Sequence, residues 1–128
     1  TEDVRTPGNL PAVLYQVARV VFDFAAAHEK FYWFMRALCY SGRENEAFQA
    51  VSPLIERYYQ LIVGIFERFL GELGNMRGRQ RLFAVGFTGV LNHHIMMVSY
   101  GLSESDKFEI SNETTYEIVR QFLYGIYT

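Results

Sequence analysis

The sequence predicts an all-α fold, an antiparallel bundle of about five helices, on three observations. Apolar residues recur three and four positions apart along most of the chain, the spacing that gathers them on one helix face. Breaks rich in Gly, Ser, Asn or Pro cut this pattern into pieces of helical length. Strand-type alternation never runs beyond a few residues, and no segment repeats. At 128 residues the chain is one domain's worth, and folding at that size removes roughly two-thirds of the unfolded surface from water.

The first helix is predicted over 9–27. Asn9 can cap it, and Pro11 falls in the first turn, where a missing N–H costs nothing. Leu10, Val13, Leu14, Val17, Val20, Val21 and Phe24 form its apolar face, with Gln16, Arg19 and Asp23 opposite. The second helix, 28–40, is short and aromatic. Its inward face is read as Phe31, Phe34, Met35 and Leu38, with Tyr32, Trp33 and Arg36 turned away.

Ser41 and Glu44 have the spacing of a capping box for a long third helix, 44–73. Within it, Pro53 either opens a fresh helix behind Ser52 or kinks a continuous one. Ile55, Tyr58, Tyr59, Ile62, Ile65, Phe66, Phe69 and Leu73 make the stripe, and Gly74-Asn75 ends it. The fourth helix, 78–100, is apolar nearly all round and so calls for cover on more than one side. Its Gly86 and Gly89 allow close backbone approach. After a polar loop, Thr114 and Glu117 form a second capping-box pair for the last helix, 112–127. Thr115, Ile118, Val119, Phe122 and Ile126 are its stripe, widened by Tyr116 and Leu123.

Charge and chemistry exclude several classes. A net charge of -2 argues against a nucleic-acid surface, and the one basic knot, Arg77, Arg79 and Arg81, precedes a helix N-terminus where the dipole disfavours cations. That knot reads as a solvated loop. The single cysteine, Cys39, excludes an internal disulfide and suits a reducing, cytoplasmic setting. With no His or acid within four residues, it reads as a small buried hydrophobe rather than a nucleophile. The opening residues are polar, unlike a signal peptide. Residues 82–98 carry no charge, but Asn92, His93 and His94 interrupt them, so a buried helix is expected rather than a membrane span.

His93 and His94 diverge by about 100° around a helix, and no His or Glu lies three or four positions away, so no metal site is expected. No acid/base constellation appears, which gives no catalytic residue, no cofactor and no enzyme. The aromatic load of 11 Phe, 9 Tyr and 1 Trp favours a pocket or an interface. Tyr58 and Tyr59 bring hydroxyls to an apolar face, and Asn92, His93 and His94 bring polarity to a buried helix, as in small-molecule sites.

The stretch 10–38, LPAVLYQVARVVFDFAAAHEKFYWFMRAL, resembles the helix pair that opens the regulatory domain of TetR/AcrR-type transcriptional regulators, with Glu29, Phe31, Phe34 and Met35 in the matching places. The long helix through Phe66 is similar to that family's central helix. RQRLFAVGFTGVLNHHIMMV and TTYEIVRQFLYGIYT resemble its last two helices, which pack against their copies as a four-helix dimer interface. The family's N-terminal helix-turn-helix is absent from this chain, and Thr1 rather than Met opens it, which implies a fragment or a relative lacking the DNA-binding half.

The resemblance implies an effector-binding and dimerisation domain, acting on DNA only through that absent N-terminal domain. It places a pocket for a small, mostly apolar effector among the first four helices, lined by Phe31, Phe34, Leu38, Tyr58, Tyr59, Ile62, Phe66, Phe87, Leu91 and His94. No charged residue falls within the inward stripes as read, so a charged ligand is not expected. The homodimer interface is expected at Gly86, Gly89, His93 and Met97, with Val119, Phe122, Leu123 and Ile126. Two other readings stand beside it: a structural dimerisation module with a filled core, and a helical-bundle cofactor carrier using His93 or His94.

Overall fold

The computed structural model describes residues 9–69, 78–99 and 109–125, and among these it holds five helices and no strand. They are α1 (Leu10–Ala27), α2 (Glu29–Cys39), α3 (Glu46–Arg68), α4 (Gln80–Ser99) and α5 (Asn112–Tyr124). The all-α bundle is the fold the periodicity predicts.

Side-chain caps decide where the helices begin. Asn9 accepts from the Ala12 N–H at 3.1 Å, and Pro11 occupies the first turn of α1. For α3 the cap is Asn45, which accepts from the Ala47 and Phe48 N–H groups at 2.8 and 3.2 Å. The expected box of Ser41 and Glu44 does not form. Asn45 caps at least as well as Ser and stands next to the helix, while the Ser41 hydroxyl donates backward to the Leu38 carbonyl at 2.6 Å. In α5 the cap is Ser111, accepting from the Thr114 N–H at 3.1 Å, so Thr114 lies inside the helix and the pair with Glu117 is not a cap. Gly125, at φ 73°, ends α5 in the left-handed conformation that glycine adopts without steric cost.

Pro53 sits inside a continuous α3. Proline cannot donate to the carbonyl four residues back, and the Ser52 hydroxyl takes up that carbonyl, Gln49, at 3.2 Å. The same Ser-Pro pair that suggested a new helix start thus patches the old helix. Leu73 of the expected stripe, the stop at Gly74-Asn75, and Arg77 lie outside the described residues.

In the packing, α1 touches α2, α4 and α5, and α3 lies chiefly on α4. The buried line of α1 is Leu10, Val13, Leu14, Ala18, Phe22 and Ala25, rotated from the expected stripe; Val20 is 67% exposed and Phe24 43%. The rotation has a cause in small residues and one cation. Ala18 and Ala25 let neighbouring helices approach closely, and Arg19 is drawn in rather than solvated. Its Nη1 donates to the Ile110 carbonyl and to Thr115 Oγ1 of α5, while Nη2 pairs with Asp23. Phe66, Phe83, Phe87 and Phe122 then join α3, α4 and α5 in one aromatic cluster, with Phe87 and Phe122 ring centres 5.1 Å apart. Complete burial of each such ring contributes roughly 1.5–3 kcal/mol.

Helix α4 buries Ala84, Phe87, Thr88, Leu91 and Ile95 on one side only. The second cover expected for it does not come from the described residues: Leu82, Val85, Gly89 and His93 face outward, while Gly86 lies beside Phe122 of α5. The buried Thr88 hydroxyl is satisfied by the Ala84 carbonyl at 2.9 Å. Helix α2 is the exception to the pattern, since none of its residues is buried.

Candidate functional site

Four helices meet around one polar contact. The Tyr32 hydroxyl of α2 donates to Asn92 Oδ1 of α4 at 2.6 Å. Tyr32 reaches it because the inward face of α2 is Tyr32 and Arg36, one turn apart, and not Phe31 and Phe34, which stand 51% and 58% exposed. This corrects the face assigned to α2 in part: Phe31 and Phe34 face out and Tyr32 and Arg36 are drawn in, while Met35 and Leu38 are half-buried.

Around that contact lies a cleft of about 300 Å³, walled by Val20, Val21 and Phe24 of α1, Tyr32, Tyr58 of α3 and Asn92. Its surface is almost wholly apolar. Burial pushes the Tyr58 phenol up to about 12, so its hydroxyl stays protonated at neutral pH. Burial also raises Tyr32, against a smaller downward pull from the Arg36 guanidinium. The Asn92 amide nitrogen has no hydrogen-bond partner among the described residues.

Of the pocket residues expected from sequence, Tyr58 alone is in this cleft. Tyr59 is half-buried, its ring edge-on to Tyr58 at 5.7 Å. Ile62, Phe66, Phe87 and Leu91 are in the close-packed core, at most 2% exposed, so they support the site from behind the surface instead of lining it. Leu38 and His94 are half-buried; His94 is held below the usual imidazole range first by burial and then by the neighbouring His93. Sequence reasoning missed Val20, Val21, Phe24 and Tyr32. The available signal was the pair Tyr32 and Arg36, polar-tipped residues four apart on an otherwise apolar helix.

The expected dimer residues divide as well. Gly89 and His93 are exposed on α4, Gly86 is exposed beside Phe122, and Met97 is half-buried. Val119 is only 3% exposed, at the wall of the concavity between α1 and α5. Phe122 packs on Phe87 and Phe66, Leu123 is half-buried, and Ile126 lies outside the described residues.

A larger concavity of about 1010 Å³ runs between α1 and α5, past Tyr15, Gln16, Tyr116, Glu117 and Arg120. It is an open trough whose wall mixes polar and apolar surface, unlike the apolar cleft. Cys39 is exposed, contrary to the buried position expected, because the open face of α2 ends there. Arg81 belongs to the first turn of α4 and pairs with Glu56 of α3 at 3.1 Å, so this part of the basic knot links two helices. Among the described residues no three of His, Cys, Asp and Glu gather in a metal-binding group. Helices α1 and α4 are long and apolar enough to cross a membrane by length and composition, a test that core helices of soluble bundles also pass. Comparison with protein-family models, curated proteins and solved structures found no match to this chain.

Proposed function

We propose that this chain is the ligand-sensing and dimerisation domain of a TetR-like transcriptional regulator, binding a small, mostly apolar effector between α1, α2, α3 and α4. The observation that carries this reading is the cleft at the Tyr32–Asn92 contact. At about 300 Å³ it is at the lower end of small-molecule sites in size, with apolar walls that bind by area. Its titratable groups, Tyr32 and Tyr58, are both pushed toward the protonated state, which suits hydrogen-bond donation and not proton abstraction.

The outward ridge of α4, with Leu82 63% and Val85 49% exposed beside Gly86, Gly89 and His93, offers a face for a second copy. Because the cleft draws on α1 and α4 together, an effector that prefers one arrangement of these helices shifts the spacing of the two subunits. The DNA affinity of a helix-turn-helix attached upstream then changes by the difference in binding to the two states. The protein so read works in the cytoplasm as a homodimer. The filled aromatic cluster of Phe66, Phe87 and Phe122 supports a second reading, a structural dimerisation module without a ligand.

A panel of neutral aromatic compounds, 4-phenylbutan-1-ol among them, separates the two. On the first reading a binder raises the melting temperature and changes the fluorescence of Trp33, which is edge-on to Tyr32 at 5.6 Å. Tyr58→Ala then weakens binding at least about tenfold (~1.4 kcal/mol) with the dimer mass unchanged. A panel with no binder leaves the structural module.

A further inference from the structure

We infer that the effector is an amphipathic carboxylate, its apolar body in the cleft and its anionic head on Arg36. This rests on the ligand-sensing reading and departs from the expectation of an uncharged ligand. Arg36 lies one turn beyond Tyr32 on the inward side of α2, its guanidinium carbon 6.0 Å from the centre of the Tyr32 ring that walls the cleft. It is half-buried, and no carboxylate pairs with it among the described residues. Nη2 donates to the Tyr40 hydroxyl at 3.0 Å, and the guanidinium also acts on the Tyr32 hydroxyl through a side-chain hydrogen bond. Nε is shielded from solvent and has no hydrogen-bond partner.

A buried N–H without an acceptor is costly, and a half-buried cation without a counter-ion more so. Among the described residues the other half-buried arginine, Arg19, shows the usual resolution: the Ile110 carbonyl just before α5, Thr115 Oγ1 on α5 and a carboxylate, Asp23. Arg36 has instead two aromatic faces, Tyr32 and Tyr40, the latter 5.3 Å from the guanidinium carbon. That leaves a guanidinium without a carboxylate behind the Tyr32 wall of an apolar cleft, a match for a planar anion on a short apolar body. Tyr58, kept protonated by burial, brings no competing negative charge on the cleft side.

The test compares 4-phenylbutyrate with 4-phenylbutan-1-ol, the same body with and without the carboxylate, by calorimetric titration of the full chain at pH 7.5. The acid is expected to bind at least tenfold more tightly. Arg36→Gln should bring the acid down to the affinity of the alcohol and leave the alcohol unchanged, while Arg36→Lys keeps part of the preference. If the alcohol binds as well as the acid, the cleft reading stands and the carboxylate inference is overturned. A preference for the acid that survives in both variants also overturns it, because the head is then held elsewhere. Binding of neither compound overturns the inference together with the reading beneath it. The ratio in the unsubstituted chain decides even where Arg36→Gln fails to fold.

Discussion

Helices α5 and α2 are both short, both amphipathic and both laid against α1, yet they are held in opposite ways. Helix α5 is polar in composition and buries a tight trio, Thr115, Ile118 and Val119, each at most 4% exposed, with Arg19 reaching across from α1. Helix α2 carries Phe31, Trp33, Phe34, Met35 and Leu38 and buries none of them. Apolar content therefore does not decide which helix seats in the core. The small and β-branched side chains of α5 are sealed against α1, whereas α2 meets the bundle at partly exposed contacts, Tyr32 on Asn92 of α4 and the Phe31 ring on Phe24 of α1, and leaves a gap. The gap this leaves beside α1 and α3 is the candidate site.

The sharpest way to break that contrast is truncation on each side. Phe87→Ala, in the cluster beneath α5, should destabilise by about 3–5 kcal/mol in urea unfolding. Phe34→Ala on α2 should cost under about 0.5 kcal/mol, being a surface change. A cost above about 2 kcal/mol for Phe34→Ala would show that α2 is packed as α5 is. Next in size is Arg19→Met, which leaves the Ile110 carbonyl without its donor and should cost about 1–3 kcal/mol.

Tyr32→Phe removes one hydrogen bond from a half-exposed contact and should cost about 0.5–1.5 kcal/mol by the same measurement. The smallest effect belongs to His94. Its folded pKa is lowered, so the unfolded chain binds the proton more readily, and stability falls as the pH drops from above the unfolded value near 6.5 toward the folded one. In thermal melts at pH 7.5 and 5.5, His94→Gln should shrink the acid-induced drop by under about 3 °C, and leave the pH 7.5 melt less affected. A larger drop in the variant would reverse the sign.

What the sequence made legible was local, and what it hid was long-range. Asn9, Pro11 and the bounds of α1 follow from neighbours a few positions away. Pro53 could not be decided by pattern alone, because continuity depends on the Ser52 hydroxyl finding the Gln49 carbonyl. Ser41 was the cap read from spacing, and the structure gives that place to Asn45, next to the helix, while the Ser41 hydroxyl turns back to the Leu38 carbonyl. The rotation of α1 and the inward face of α2 depend on partners far along the chain: Arg19 on Thr115, 96 residues away, and Tyr32 on Asn92, 60 away. Periodicity finds an apolar face, but two faces of α1 are apolar enough to qualify. Once Val20, Val21 and Phe24 were read as core, the cleft they wall was invisible.

Intermolecular nuclear Overhauser contacts from bound 4-phenylbutyrate bear most directly on where this protein binds its ligand. The phenyl protons should show contacts to the methyl groups of Val20 and Val21 and to the rings of Phe24, Tyr32 and Tyr58. Contacts confined to Tyr15, Tyr116 and Leu123, in the trough between α1 and α5, would contradict the cleft between α1, α2, α3 and α4 as the site.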